Sequence, residues 1–591
     1  MTSTANIIAQ RIGKVEKLAY ERIFSPKIVA IPPEDSRRAI CVLADGEIRV
    51  YGATDKTVLH GTLDTYRPVY ISSKDGGLSW KEYDAQPNDI GACVYVPWTK
   101  KYVTIHECYH PTLKKTVVCC FRSDIGPGDD NPEIQVVTDI GYIDFFQPLI
   151  LEERKRIIAT ANTAVGDEKG DRYYKPVIFI SDDGGDSWAI KQLPTCPRFV
   201  QAPPHKGMRW ENDGAEPTIT RLKNGVLWAL LRTSQDYMYE CFSYDDGDTW
   251  TDAKQSRFHM TLTTPFPLTL QDGRTLIFWN NANPLPEQDK STCQPPLPDA
   301  MATGVWEDVF TNRDASHVAV TDDDGETFIG FRELLLSVLR NNVDFRTHGS
   351  MYDGNDRSVQ QFQAIELPMG KILVSVGQHE ESRKLIIFDV NWLYETARTE
   401  DFSLGLKNVS VQGFLKSISG TYTYQGIPGH CQWNRLPTVF PAPNPDGTTT
   451  EAQQFVYNDD PRLLNGLSGM AWNFPSSQKG RIKIEFYRKT SGLQLCLADE
   501  WIHPTDEYAS HTAEFCLSAE KSLPTNQWLT LTIEWDCAQR QAKLLYNENC
   551  LSVAKMQGFA PFGISYLHLQ TLSRSRDFNG SYIRKLEKVE L

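Results

Sequence analysis

An eight-residue phrase, Ser/Thr-x-Asp-x-Gly-x-x-Trp/Phe, occurs four times in this chain, at Ser73–Trp80, Ser181–Trp188, Ser243–Trp250 and Thr321–Phe328. Recurrence of one short turn motif marks a protein assembled from copies of one small sheet, so the repeat constrains the fold before any single residue is given a role. The starts fall 108, 62 and 78 residues apart. The first gap is close to twice a unit of roughly 50–60 residues, and a degenerate copy fits at Ser123-Asp124-Ile125-Gly126. A further unit without a box fits between Thr321 and about Val390, where Lys371–Val376 and Lys384–Val390 are apolar runs. This gives six units, with five and seven as the neighbouring counts. The Asp and Gly of the box suit a tight turn, in which a short carboxylate accepts backbone N–H bonds and Gly takes positive φ. The boxes therefore speak to architecture and not to chemistry.

At 591 residues the chain exceeds what one core serves, and at least two domains are expected. Residues 1–25 read as a lead-in with a short helix at Val15–Glu21, and 26–400 as short β-like runs divided by Gly, Asp, Asn and Pro, such as Ala39–Leu43, Tyr102–Ile105 and Thr275–Trp279. With the boxes, these runs predict an all-β, six-bladed β-propeller, whose radial repetition leaves few open sheet edges. Residues 401–591 change character. Ile482, Ile484 and Phe486 alternate with polar residues, as do Leu529, Leu531, Ile533 and Trp535, and period two points to strands with one buried face. A β-sandwich of jelly-roll or concanavalin-like type is the expected second domain.

The formal charge of −14 argues against a nucleic-acid partner. No apolar stretch is long enough for a membrane span, and Met1–Lys17 lacks a long apolar run, so a cytoplasmic location is the expectation. The 13 Cys form no CxxC pair and no metal-spaced Cys/His cluster. No metal and no cofactor is expected, and a homo-oligomer is left open.

Joined to Glu216-Pro217-Thr218 and to Arg232 at the end of the apolar run Leu222–Leu231, the boxes make the chain resemble the sialidase-like (BNR/Asp-box) family of glycoside hydrolases. The resemblance covers roughly Pro26–Asp389, and the C-terminal part looks like the lectin-type sandwiches appended to carbohydrate enzymes. It implies that Glu216 stands where sialidases place the glutamate that polarises a tyrosine nucleophile. It also implies that Arg232 and Arg313 match the second and third arginines of a carboxylate-binding triad. The family's first arginine sits in an Arg-Ile-Pro phrase that this chain lacks; Arg38 and Arg67 are the substitutes to consider. Where the family keeps its tyrosine, this chain reads Gln360-Gln361-Phe362-Gln363, and the nearest upstream tyrosine is Tyr352 in His348-Gly349-Ser350-Met351-Tyr352.

From the residues themselves, Glu211, Asp213 and Glu216 share one loop, and clustered carboxylates raise one pKa while another stays ionised, as glycoside cleavage requires. Asp213 and Glu216 are the candidate catalytic carboxylates, with Tyr352 and His348 as candidate nucleophile or base. Arg232 and Arg313 are candidate substrate-binding groups, since an arginine fork binds a carboxylate through paired charge-assisted bonds; Arg332 and Arg383 are candidates to line the same mouth. Trp433, Trp472 and Trp501 are candidates for stacking on sugar rings or for the core. The expected activity is exo-cleavage of a terminal acidic or related sugar from a glycan. A uronate-directed lyase on the same scaffold and a non-catalytic glycan-binding protein are the alternatives.

Overall fold

The computed structural model describes residues 3–33, 39–59, 62–85, 93–110, 112–129, 131–166, 172–203, 209, 212–285, 312–338, 340–341, 358–377, 381–418, 433–448, 450–520 and 523–590. Residues 53–59, 62–66, 164–166, 172–173, 417–418 and 433–434 are described by their backbone alone. Two short helices, Thr4–Arg11 and Lys14–Glu21, open the chain where one was expected. Their buried Ile8, Ile12 and Tyr20 pack against Ile48, Val50, Leu373 and Ile387.

The architecture is all-β and propeller-like. Among the described residues six antiparallel sheets follow, and in the first, second, fourth and fifth the strands pair in chain order. The first contains Ile40–Val42, Ile48–Leu59, Thr62–Ser73 and Lys81–Asp84; the second Val94–Val96, Lys101–His110, Lys115–Ser123 and Glu133–Thr138. In the third, Tyr142–Ile143 and Leu149–Leu151 both pair with Arg156–Gly166, which continues to Arg172–Ser181 and Ala189–Gln192. The fourth holds Thr218–Arg221, Leu227–Leu231, Tyr237–Ser243 and Lys254–His259; the fifth Phe266–Thr269, Thr275–Trp279, Ala315–Thr321 and Ile329–Leu336. The sixth takes Gln363–Leu367, Lys371–Val376 and Lys384–Asp389 from the end of the region, and its outer strand, Lys27–Ala30, from the beginning. Pairing the first strand with the last joins the two ends of the repeat.

Every box sits in the turn between the last two strands of its sheet. In the box beginning at Ser243, the hydroxyl accepts from Gly247 N at 2.8 Å and donates to Asp245 Oδ1 at 2.8 Å. Asp245 in turn accepts from Thr249 N at 2.8 Å and from Thr249 Oγ1 at 2.6 Å. These bonds hold the Asp245 carboxyl down at about 2, the bond from the Thr249 hydroxyl contributing most. The boxes at Ser73, Ser181 and Thr321 repeat the arrangement, with the Gly N donating at 2.7, 2.8 and 3.0 Å. The degenerate copy also makes a turn: Ser123 Oγ accepts from Gly126 N at 2.9 Å and donates to Asp129 at 2.6 Å.

After a 3-10 turn at Val390–Tyr394, the strand Arg398–Glu400 pairs with the last strand of the chain, Asp577–Val589. It is one of eight strands in the larger C-terminal sheet; a four-stranded sheet of Gly469–Ser477, Ile564–Thr571, Leu493–Ala498 and Phe515–Ala519 faces it. The period-two residues behave as their alternation predicts. Ile482, Ile484 and Phe486 lie opposite Ile533, Leu531 and Leu529 in register. They share one buried cluster with Leu493, Leu495, Leu497, Leu567 and Leu569 of the other sheet. Each such side chain contributes about 1.5–3 kcal/mol through burial. Trp472 and Trp501 are 0% and 1% exposed, so neither presents a face to a sugar: both belong to the packed interior. The Trp433 side chain lies outside the described set.

The two regions are joined through a buried seam. Trp501 and Tyr566 share a cluster with Ala315 of the fifth sheet and with Ala282, just beyond its strand Thr275–Trp279, and Tyr566 Oη donates to Glu333 at 2.8 Å. Arg435 forms an ion pair with Asp314, each side chain 1% exposed.

Candidate functional site

The loop 212–216 precedes the first strand of the fourth sheet. Asn212 Oδ1 caps it by accepting from Gly214 N at 3.1 Å and Ala215 N at 2.7 Å, and Gly214 carries φ +110°. Glu216 holds φ +50° immediately before Pro217, a left-handed conformation that a non-glycine residue adopts at a cost of order 1–3 kcal/mol. Its N–H is satisfied by Asn162 Oδ1 of the third sheet at 2.5 Å, and Asn162 Nδ2 donates to Asp144 at 3.1 Å. The backbone is thus set so that the Glu216 side chain turns toward the start of the next sheets.

There it meets both sequence-predicted arginines. Arg232 Nη1 lies 2.8 Å from Glu216 Oε2, and Arg232 Nη2 donates to the Leu262 carbonyl at 3.1 Å. Arg313 donates to the same carbonyl, and Thr264 Oγ1 donates to Glu216 Oε2. Glu216, Arg232 and Arg313 are 6%, 5% and 0% exposed. Burial in this setting strengthens the charge interactions and demands that each group keep its partners. Asp213 bridges by backbone to Thr233, beside Arg232. Burial raises the pKa of its carboxyl, with Arg198, 4.0 Å away, and Lys175 opposing that shift. Arg209, also buried, pairs with Asp236 at 2.7 Å, donates to Ser234 O at 2.9 Å and stacks over Phe199 at 3.7 Å.

The segment that reads Gln360-Gln361-Phe362-Gln363 lies beside Arg313, because Val359 N donates to Arg313 O at 3.0 Å. Phe362 points into the core against Phe278. Tyr352, His348, Glu211 and Arg38 lie outside the described residues.

Two other expectations are corrected. Arg332 does not join the arginine pair: its guanidinium is ion-paired with Glu395 at 2.9 Å and sits 4.4 Å over Trp392, a seam at the end of the repeat region. Arg67 does not replace the missing first arginine either. It is half-exposed on an outer strand pair, bound to Asp84 at 2.8 Å and Glu82 at 3.3 Å. Arg383 donates to the Pro32 carbonyl at 2.8 Å, which ties the sixth sheet to the chain's first strand. The residues that sequence reading missed are Asn162, Leu262 and Thr264. Asn162 is a lone polar residue within a strand, and Leu262 acts through its backbone; only Thr261–Thr264, with three threonines around Leu262, gave any signal.

Residues 146–337 match the family model described as a BNR repeat-like domain, and this span contains three of the four boxes and every member of the Glu216–Arg232–Arg313 cluster. That part of the chain is a BNR repeat-like domain. Among solved structures it is similar to Trypanosoma rangeli sialidase, at 9% identity over 95% of this chain and 94% of that one with a TM-score of 0.36. It is also similar to a variant of NanB sialidase from Streptococcus pneumoniae, at 11% identity over 62% and 68% with a TM-score of 0.38. No curated protein matches the chain.

Proposed function

We propose that this protein is an exo-acting, sialidase-like glycoside hydrolase that removes a terminal sugar acid or related sugar from a glycan. Its catalytic part is a six-bladed propeller spanning about residues 26–400, followed by a β-sandwich over 401–591. The observation that carries the reading is the pair Arg232 and Arg313, both buried and both donating to the Leu262 carbonyl, with Glu216 bound to Arg232. Two guanidinium groups fixed side by side are suited to grip a planar carboxylate. A sugar carboxylate would replace the Leu262 carbonyl as acceptor. Asp213, whose carboxyl burial shifts upward against the pull of Arg198 and Lys175, is the proton donor to the leaving oxygen. Glu216 keeps Arg232 in place and supplies negative charge toward the developing oxocarbenium centre. The segment at Gln360 offers amides and no phenol at the position where sialidases keep their nucleophile, so N-acetylneuraminate is one member of the substrate panel and not its presumption.

The test is a screen of aryl glycosides of uronic, nonulosonic and neutral sugars against the parent chain and its Asp213→Asn and Arg232→Met variants. The expected outcome is turnover of an acidic glycoside, with a drop of about two to three orders of magnitude in kcat for Asp213→Asn. Turnover restricted to neutral glycosides, or unchanged in both variants, would refute the assignment.

A further inference from the structure

A cleft of about 290 Å3 opens along the seam between the repeat region and the C-terminal region, lined on one side by Tyr237, His259 and Asn283 and on the other by Glu500, Tyr508 and Phe559. Its size falls near the lower end of the range for small-molecule sites, about 300–1,000 Å3, which suits one ring and not a chain. Its floor is polar. Glu500 is 2% exposed; its Oε1 accepts from Asn283 Nδ2 at 3.0 Å, while its Oε2, also buried, takes no hydrogen bond from the described residues and stands 3.7 Å from His259 Nδ1. A buried carboxyl oxygen without a donor costs free energy unless something else fills its lone pairs. The rim is apolar and open, with Phe559 72% and Tyr508 40% exposed, although large aromatics at that exposure on a cleft edge are costly to leave in water.

A sugar ring satisfies both ends, its hydroxyls donating to the floor while its C–H face covers an aromatic ring. Among the described residues no lysine or arginine lines the cleft, and this described lining does not suit a sugar acid. An organic cation is disfavoured as well. Burial alone would lower the His259 pKa, yet the Glu500 and Asp499 carboxylates raise it well above its ordinary value, and His259 already stands against both, with Nε2 3.2 Å from Asp499 and Nδ1 3.7 Å from Glu500. The cleft also continues the mouth along the chain. His259 belongs to the segment whose Leu262 carbonyl and Thr264 hydroxyl meet the arginines and Glu216, and Asn312, another lining residue, precedes Arg313.

We propose that this cleft is a second carbohydrate subsite that binds a neutral sugar residue, with Glu500 accepting a hydroxyl hydrogen and Tyr508 and Phe559 covering the ring. The assignment rests on the glycan-directed reading of the mouth and adds to it that the C-terminal region supplies half of a binding surface.

Saturation-transfer NMR on the full chain, with the methyl glycosides of glucose, galactose, mannose and N-acetylglucosamine and with putrescine as the cationic probe, tests it. At least one neutral glycoside is expected to bind, with Kd raised about tenfold in Tyr508→Ala or Phe559→Ala, the loss of a single good contact, and raised also in Glu500→Gln. Both rim positions are exposed, so these variants keep their fold. Absence of neutral-glycoside binding, binding of putrescine alone, or binding indifferent to the rim variants overturns the proposal. The rim variants leave Arg232 and Glu216 untouched. A failed mouth therefore shows as absent turnover with rim-dependent binding intact, and a failed cleft as turnover with no rim-dependent binding.

Discussion

Arg232 Nη1 and Glu216 Oε2 lie 2.8 Å apart with side chains only 6% and 8% exposed, so each offsets part of the other's cost of leaving water. Removing one partner leaves the other buried with its opposite charge gone, a loss of up to about 3–5 kcal/mol. Arg232→Ala is therefore expected to lower stability by that order, measured by urea denaturation. The double variant Arg232→Met with Glu216→Gln, which removes both charges, is expected to recover most of it. A double variant as unstable as Arg232→Ala would show that the pair is not what ties these two residues together.

Asp183 offers a cleaner stability test, far from any proposed chemistry. Its carboxylate accepts from Ser187 N at 2.9 Å and from the Ser181 and Ser187 hydroxyls at 2.8 and 2.5 Å. Asp183→Ala removes all three at a partly exposed turn, where water replaces some of what is lost, so a cost of about 1–3 kcal/mol is expected. Calorimetry should register a lowered Tm with kcat/KM unchanged on whatever glycoside the parent turns over. A fall in kcat/KM without a change in Tm would contradict the purely architectural role of the box.

The same turn explains why the repeat was legible in the sequence and why one copy was not. A box forms where the next-to-last strand of a sheet runs directly into the last. In the sixth sheet the fourth strand is Lys27–Ala30, from the other end of the region, so no turn exists there for a box to make. Arg232 and Arg313 were legible because each stands at a fixed distance from a strand or box. Asn162 and Leu262 were not, since one is a single polar residue in a strand and the other contributes only its carbonyl. The cleft was illegible for a different reason: His259 and Glu500 come from separate regions of the chain, and no local pattern relates them. Arg332, Trp472 and Trp501 have the right chemistry for a sugar site, yet packing claims them.

Glu500 makes the stability of the seam depend on pH. Burial raises its carboxyl from 4.5 to about 8, with His259 opposing and Asp499, Asp236 and Asp506 adding to the shift. Between those two values the folded state holds a proton that the unfolded chain has released, so stability falls as pH rises through that window. His259, whose pKa is raised by the same carboxylates after burial has lowered it, acts in the same direction at higher pH. Tm is expected to decline by several degrees from about pH 5 to about pH 8. Glu500→Gln, which cannot ionise, is expected to flatten that decline, and an equal slope in the variant would rule Glu500 out as its source.

The ion pair of Arg435 with Asp314 connects the C-terminal region to the residue next to Arg313, and it is a deep link across the seam, with both side chains 1% exposed. Gln412 Nε2 adds a bond to the second Asp314 oxygen at 3.2 Å, and the Asp314 carbonyl accepts from Ser337 N at 2.7 Å. Asp314 is therefore fixed by side chain and backbone together, and Arg313 inherits that position. Arg435→Met leaves Asp314 charged and buried, and a loss of about 3–5 kcal/mol is expected. The double variant with Asp314→Asn should restore most of the stability while leaving Arg313 less firmly held. In the double variant, KM for an acidic glycoside is expected to rise more than kcat falls, because the arginine's grip on the carboxylate is what has loosened. A coupling energy near zero in the double-mutant cycle, or an unaltered KM, would mean that the C-terminal region does not help to position the mouth.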